Sequence, residues 1–181
     1  MLTELQTRKL VKYFSMYDAD CSGCIEAENF EQIAKKLAAR RNWSFRSPRY
    51  LTLVNQFEYD WKHLRAAADK SHNGQVNLEE WLSYYDGVLN DSDRYYQSLR
   101  TLMNLVLEAF DVNEDGKIRE PEWGEFLSIF NVSPVYAPRV FPVIDTDSNG
   151  YLDRAGLMSL LDDFFHSDES DCAANQMFGP Y

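Results

Sequence analysis

Apolar residues recur along this chain at steps of three and four positions, which is the spacing of one face of an α-helix. Four segments carry this pattern over most of their length. Their apolar positions are Leu2, Leu5, Leu10, Tyr13, Phe14 and Tyr17; Phe30, Ile33, Ala34 and Leu37; Leu51, Val54, Phe57, Trp61 and Leu64; and Leu99, Leu102, Val106, Ala109 and Phe110. No comparable run alternates apolar and polar residues as a half-buried strand does, so we predict an all-α fold with only very short β contacts.

One unit repeats four times: an apolar helix, an Asp-rich loop with a Gly near its middle, and a second helix. The loops begin at Asp18, Asp69, Asp111 and Asp145. Residues 90–93 (NDSD) lie midway and have the short Asx and Ser side chains that cap helices. We therefore predict units one and two in residues 1–90 and units three and four in residues 91–181. We interpret the basic segment 40–48 (RRNWSFRSP) as a solvated connector.

Each loop presents oxygen atoms at the spacing that a calcium ion requires. Calcium is a hard cation that takes six to eight oxygen ligands, and a twelve-residue loop supplies them from positions 1, 3, 5, 7, 9 and 12. Position 7 contributes a main-chain carbonyl, position 6 is Gly for a sharp turn, and position 12 is a bidentate Glu. Position 8 is apolar in all four loops, and we expect Ile25 to pair with Val76, and Ile118 with Leu152, in short two-stranded contacts.

Loop three matches the pattern at every constrained position, and loop two is a working but weaker match. Loop three supplies Asp111, Asn113, Asp115, the carbonyl of Lys117, and Glu122, with Gly116 at the turn and a water in place of Arg119 at position 9. Loop two supplies Asp69, Ser71, Asn73, the carbonyl of Gln75, and Glu80, with Gly74 at the turn and Asn77 at position 9. We predict that loop three is the most secure site. We predict that loop two binds more weakly, because only two of its side-chain ligands are charged.

Loops one and four depart from the pattern at position 12. Loop one supplies Asp18, Asp20, Ser22, the carbonyl of Cys24, Glu26, and Asn29 at the closing position. Loop four supplies Asp145, Asp147, Asn149, the carbonyl of Tyr151, and Asp153, but its closing residue is Gly156. Because the Asn29 amide offers one oxygen where Glu offers two, we expect Mg²⁺ to compete with Ca²⁺ mainly at this first site. We predict that the fourth site is weak or empty.

The charge and cysteine content narrow the class of partner and the compartment. A net charge of −11 disfavours nucleic acid and anionic membranes and favours cations. No apolar stretch is long enough to span a membrane, and we expect a monomer. The three cysteines are too few for a disulfide scaffold and favour the cytoplasm. Cys21 and Cys24 form a CxxC, but both lie inside loop one, so we interpret them as incidental. No phosphate-binding loop or nucleophile motif indicates an enzyme.

The loop segments and the chain ending resemble one family. The segments are FSMYDADCSGCIEAENF, AADKSHNGQVNLEEWL and AFDVNEDGKIREPEWGEF, and the ending is FFHSDESDCAANQMFGPY. They resemble the sarcoplasmic calcium-binding proteins, an EF-hand family that includes calerythrin and calexcitin, with the calcium-regulated photoproteins as cousins. The resemblance implies one compact domain in which all four EF-hands pack together. Asn29 and Gly156 depart from the family pattern.

These observations predict a calcium-binding protein with about three functional sites, acting as a cytosolic buffer or signal protein without catalytic activity. One alternative is a calcium sensor that exposes an apolar groove to a target protein. Another, from the photoprotein cousins, is a protein that binds coelenterazine in an aromatic cavity. The chain has 11 Tyr and 4 Trp, which fit an ordinary core as well.

Overall fold

A computed structural model describes residues 1–97, 107 and 109–180 of the chain. Its helices with defined bounds are α1 (Glu4–Tyr17), α2 (Ala27–Arg40), α3 (Pro48–Ala68), α4 (Leu78–Leu89), α5 (Glu120–Ile129), α6 (Ala137–Ile144) and α7 (Arg154–His166). Residues 92–97, 107, 109 and 110 are also helical, and Pro134–Tyr136 and Ala173–Gln176 form 3₁₀ turns. The predicted apolar positions Leu99, Leu102 and Val106 lie outside the described residues.

Four two-residue strands complete the secondary structure that the described residues show: β1 (Cys24–Ile25), β2 (Val76–Asn77), β3 (Lys117–Ile118) and β4 (Leu152–Asp153). They form two antiparallel pairs, in which Ile25 lies opposite Val76 and Ile118 lies opposite Leu152. These four side chains are at most 4% exposed, so each pair closes over the core. The all-α class with short β contacts between paired loops is confirmed.

Loop and helix share their boundary residues. The position-1 aspartates Asp18, Asp69 and Asp145 are the C-caps of α1, α3 and α6. At the other end of each loop, position 9 is the N-cap of the following helix, and position 12 is that helix's third residue. The side chain at position 12 therefore lies where a capping box places its acceptor.

The helix that enters loop four is short, as its prolines predict. Pro134 opens a 3₁₀ turn, and α6 follows with only 8 residues and Pro142 inside it. The helices that enter loops one and two have 14 and 21 residues. An interior proline removes one helix hydrogen bond, yet Asp145 still caps α6 as Asp18 caps α1.

The core is a continuous aromatic cluster that joins the two halves of the chain. Tyr13 of α1 contacts Trp81 of α4, and also Phe165 of α7 and Phe178 near the C-terminus. Phe178 in turn contacts Trp123 of α5. Phe178 is 1% exposed, so the C-terminal segment is an integral part of the core.

The interpretation of residues 40–48 as a solvated connector is wrong at Arg41. Arg40 is the last residue of α2 and Pro48 is the first of α3. The Arg41 side chain is only 12% exposed and forms an ion pair with Glu125 of α5 at 3.2 Å. Arg40 is 61% exposed, as a connector residue would be. This largely shielded guanidinium adds an ionic contact between the two halves.

Candidate metal sites

All four loops have the same left-handed backbone conformation at positions 4 and 6. At position 4 the residues Cys21, His72, Glu114 and Ser148 have φ values of 56°, 57°, 58° and 54°. At position 6 the glycines Gly23, Gly74, Gly116 and Gly150 have φ values of 81°, 86°, 75° and 84°. Left-handed backbone at a non-glycine residue is uncommon, so its recurrence at one loop position marks a common fold. Loop four has this fold even though its closing ligand is missing.

The position-1 carboxylate organises each loop through main-chain amides. One oxygen accepts from the position-5 amide at 2.9 to 3.2 Å. The other oxygen accepts from the glycine amide at 2.7 to 3.0 Å. These bonds orient the carboxylate and curl the backbone of positions 5 and 6 around the position-1 side chain in all four loops.

The loops differ at position 12. The Glu80 carboxylate accepts from the Ser71 amide at 3.0 Å and the Asn77 amide at 3.1 Å. Glu122 does the same in loop three, with the amides of Val112 at 3.0 Å and Arg119 at 2.9 Å. Two oxygens are thus held across each of these loops, in the position from which a bidentate ligand closes a calcium sphere.

Loops one and four lack this closure. In loop one, Asn29 Oδ1 accepts from the Glu26 amide at 2.7 Å. This is the only oxygen of the Asn29 side chain, so Asn29 cannot close the loop with two oxygens. In loop four, Gly156 has no side chain, and its amide donates to Asp153 Oδ1 at 2.8 Å. The structure therefore places two position-12 oxygens across loops two and three and one across loop one, whereas loop four has no side-chain oxygen at this position.

Comparison with known proteins agrees with this geometry. The family model described as EF hand matches residues 103–127. Calerythrin from Saccharopolyspora erythraea is 24% identical over 166 residues, which cover 91% of this chain and 94% of calerythrin. Calretinin from Gallus gallus is 22% identical, and the match covers 93% of this chain but only 65% of calretinin.

Solved structures show the same fold. The sarcoplasmic calcium-binding protein of amphioxus is similar over 100% of both chains, with a TM-score of 0.74 and 20% sequence identity. The calcium-loaded apo form of the coelenterazine-binding protein from Renilla muelleri covers 99% of this chain, with a TM-score of 0.71 and 21% identity.

The chain is a calcium-binding EF-hand protein related to calerythrin and the sarcoplasmic calcium-binding proteins.

The donor sets of this EF-hand protein fit calcium. Within the described residues, no group of three or more carboxylate, imidazole and thiol side chains converges to hold a metal by itself. Each predicted site instead combines carboxylates with amide, hydroxyl and main-chain oxygens, the hard donors that calcium prefers. The three cysteines are free thiols, and the described helices include none that is long and apolar enough to cross a membrane.

Charges near the ligands differ between the EF-hands. Partial burial alone would raise the pKa of Asp69, but the amides of Gly74, Asn73 and His72 lower it below its ordinary value. Asp115 is in a different situation, because a hydrogen bond from the Arg119 guanidinium lowers the pKa of its carboxyl. Arg119 Nη2 and Asp115 Oδ2 are 2.8 Å apart, so a side chain of the same loop already pairs with a predicted calcium ligand.

Sequence reasoning missed three contacts that involve residues of the predicted sites. The first is the Arg119–Asp115 ion pair, which the i, i+4 spacing of the two residues could have indicated. The second joins paired loops, since the Gln75 side-chain amide donates to the Glu26 carboxylate. A related contact places the Lys117 ammonium 3.8 Å from the centre of the Tyr151 ring, between loops three and four. The last two connect residues far apart in sequence, and no local pattern signals them.

Proposed function

We propose that this EF-hand protein is a cytosolic calcium buffer or signal protein without catalytic activity. It has working sites in loops one, two and three, and a degenerate fourth loop that serves as a structural partner. It acts as a monomer, in which residues 1–90 and 91–181 each contribute one pair of EF-hands to a single unit.

The position-12 side chains support this number of sites. Glu80 and Glu122 each bridge their loop with two oxygens, and Asn29 offers one. Gly156 offers none, so an ion at loop four would be left to the first half of the loop and water. The preserved β3–β4 pairing explains why the fourth loop is retained without an ion, because Leu152 covers the core beside Ile118.

The observation that carries the buffer role is the position of the C-terminal segment. A sensor EF-hand opens an apolar groove for its target. Here Phe178 lies among the inner aromatic side chains, with ring centres 4.8 Å from Phe164 and 6.4 Å from Trp123. The Trp123 indole also donates to the Met177 carbonyl at 3.2 Å. The apolar faces are thus covered by the protein's own chain, which favours a closed buffer over an opening sensor.

Calorimetric titration with calcium, with and without magnesium, tests the number of sites. We expect three bound ions and a melting temperature that rises between chelator and millimolar calcium, because binding to the native state alone stabilises it. Four bound ions, or an unchanged melting temperature, would contradict the proposal.

Fluorescence of an apolar dye tests the buffer role against the sensor role. For the buffer we expect little change in the dye signal when calcium is added. The Phe178→Ala variant is the positive control, because removing this ring uncovers apolar surface with or without the ion. A large calcium-dependent rise in the unmodified protein would instead support the sensor.

A second candidate is a protein that binds coelenterazine. It is favoured by the cluster of buried Tyr13, Tyr17 and Trp81 with half-buried Tyr85, and by the shared fold of the Renilla protein. In this chain, however, those rings contact one another at centre distances of 4.6 to 6.0 Å, so they fill the space that a ligand would need. Mixing the protein with coelenterazine and observing neither binding nor light would exclude this function.

A further inference from the structure

The exit helices of the first and third EF-hands end in the same way. At the end of α2, Asn42 has a φ of 53°, and at the end of α5, Asn131 has a φ of 62°. In each case the next amide closes the helix, Trp43 to the Ala38 carbonyl at 2.9 Å and Val132 to the Leu127 carbonyl at 2.8 Å. This is the Schellman arrangement with Asn in the left-handed position. The two helix ends are therefore equivalent in the two halves of the molecule.

The end of α2 caps the helix that enters loop three. Arg41 Nε donates to the Ala109 carbonyl at 2.9 Å, and Nη2 donates to the Phe110 carbonyl at 3.2 Å. Carbonyls in the last turn of a helix lack intrahelical partners, and a cation there also complements the helix dipole. The next residue is Asp111, the first ligand of site three. A side chain from the first EF-hand thus fixes the approach to a site in the third.

The end of α5 makes the reciprocal contact. Asn131 Nδ2 donates to the Met16 carbonyl at 2.8 Å, in the last turn of α1 and two residues before Asp18, the first ligand of site one. Asn131 Oδ1 accepts from the Lys36 ammonium of α2, which holds the side-chain amide in place. A side chain from the third EF-hand therefore fixes the approach to a site in the first.

Helices α2 and α5 therefore connect site one and site three in both directions. Helix α2 carries Asn29, the closing ligand of site one, in its first turn and has Arg41 at its far end. Helix α5 carries Glu122, the closing ligand of site three, in its first turn and is followed by Asn131. A ligand that shifts when an ion binds displaces its helix as a unit, and the far end of that helix contacts the entry to the other site.

We propose that Arg41 and Asn131 are positioning residues that couple calcium binding at sites one and three. The proposal rests on the proposed function, because both sites must bind calcium. Coupling between sites is reciprocal, so occupancy of site three strengthens calcium binding at site one by the same factor as the reverse. Arg41 carries the larger share, because its side chain is only 12% exposed and makes two carbonyl contacts, whereas Asn131 is exposed and makes one.

The test follows each site by the amide resonances of its turn glycine, Gly23 for site one and Gly116 for site three, during calcium titration. Two calcium concentrations at half-saturation of the Gly23 shift are compared. The coupling factor is the value measured with site three disabled by Glu122→Gln, divided by the value measured with site three intact. We expect a factor of at least about fivefold in the unmodified protein, the lower end of typical allosteric coupling.

The variants Arg41→Met and Asn131→Gly should each reduce this factor toward one. Their matched controls remove an equivalent group without breaking a contact between helix ends. Arg40→Met removes the neighbouring guanidinium, which also pairs with Glu125 but has 61% exposure. Asn42→Gly makes the same change at the equivalent left-handed residue of α2. Both controls should retain the coupling of the unmodified protein.

The outcomes separate the two proposals. A factor near one in the unmodified protein, or an equal factor in all variants, would overturn the coupling while leaving calcium binding intact. If neither glycine resonance responds to calcium, the proposed function itself is wrong, and the coupling with it. Melting temperatures in chelator identify a variant that has merely lost its fold, and Asn131→Gly retains the test if Arg41→Met does not fold.

Discussion

Loops three and four are partners in one pair, and they differ in a single decisive position. Both have left-handed backbone at positions 4 and 6, and both hold a position-1 Asp with two main-chain amides. They pair through β3 and β4. At position 12, however, Glu122 bridges loop three with two oxygens, and Gly156 leaves loop four open. An EF-hand loop can therefore keep its shape without the residue that closes its ion site.

Shape and ion binding separate because different groups determine them. The shape depends on hydrogen bonds within five residues of the position-1 Asp and on an apolar residue at position 8. Ion binding depends on the side chain at position 12, which belongs to the next helix. That side chain has a second role in loops two and three, where it accepts from the N-cap amide in a capping box. In loop four, Gly156 supplies neither the side-chain acceptor of the capping box nor the closing ligand.

The largest expected effect is the loss of site three in Glu122→Gln. The change preserves size and removes the charge and one ligand oxygen, so we expect calcium affinity at loop three to fall by about an order of magnitude or more. Calorimetry measures the change. Glu120→Gln is the control, because it removes the same charge two residues earlier at a position that supplies no ligand. Equal effects of the two variants would show that overall charge, not closure of the loop, determines affinity.

The converse change, Gly156→Glu, should create a site in loop four. A Cβ at Gly156 would meet only Asp153 Oδ1, at an ordinary contact distance of 3.5 Å, so the backbone admits the new side chain. We expect one additional bound ion, with affinity gained by roughly an order of magnitude over the open loop. The control is Ala155→Glu, which adds the same charge one residue away. A stoichiometry that stays the same in Gly156→Glu would show that loop four has a further defect.

A smaller effect is expected at loop one, whose closing residue offers one oxygen, compared with two at Glu122 and none at Gly156. Asn29→Glu restores the second oxygen and should raise the preference for calcium over magnesium several-fold, because the smaller ion gains less from an added ligand. Competition between the two ions in calorimetric titration measures the ratio. An unchanged ratio would show that the Asn29 amide does not limit the site.

Short-range patterns made much of this molecule predictable. The ligand spacing indicated the loops, and the apolar residue at position 8 indicated that Ile118 would lie opposite Leu152, as it does. The prolines before Asp145 indicated the short α6. Each of these inferences depends on residues that are neighbours in sequence or on a repeat with a fixed geometry.

The contacts between the halves were not predictable in this way. Arg40 and Arg41 are adjacent and chemically identical, yet one is 61% exposed and the other 12%. The Ala109 carbonyl that binds Arg41 is 68 residues away, and no periodicity relates the two. Lys9 gives a second example: it is 1% exposed, and its ammonium donates to the Ser167 carbonyl at 2.8 Å. A charged residue usually indicates a solvated surface, and only the assembled fold reveals these exceptions.

The smallest expected effect concerns Arg119, whose side chain pairs with a predicted ligand of loop three. Its guanidinium lies 2.8 Å from Asp115 Oδ2, so it competes with an ion for this oxygen. Arg119→Gln should therefore raise calcium affinity at site three. Because the two side chains are 42% and 31% exposed, water and salt already weaken the pair, and we expect a gain of a few-fold at most, largest at low ionic strength.

The control for this change is Arg49→Gln. Arg49 pairs with Glu114 of the same loop at 2.9 Å, but Glu114 occupies position 4 and is not a ligand. Both variants remove one positive charge near site three, and only Arg119→Gln releases a ligand. If calorimetry at low salt gives the same gain for both, the general field of the protein accounts for the effect. A gain confined to Arg119→Gln would show that the Arg119 guanidinium competes with the ion, because only this guanidinium pairs with a predicted ligand and the Arg49 guanidinium does not.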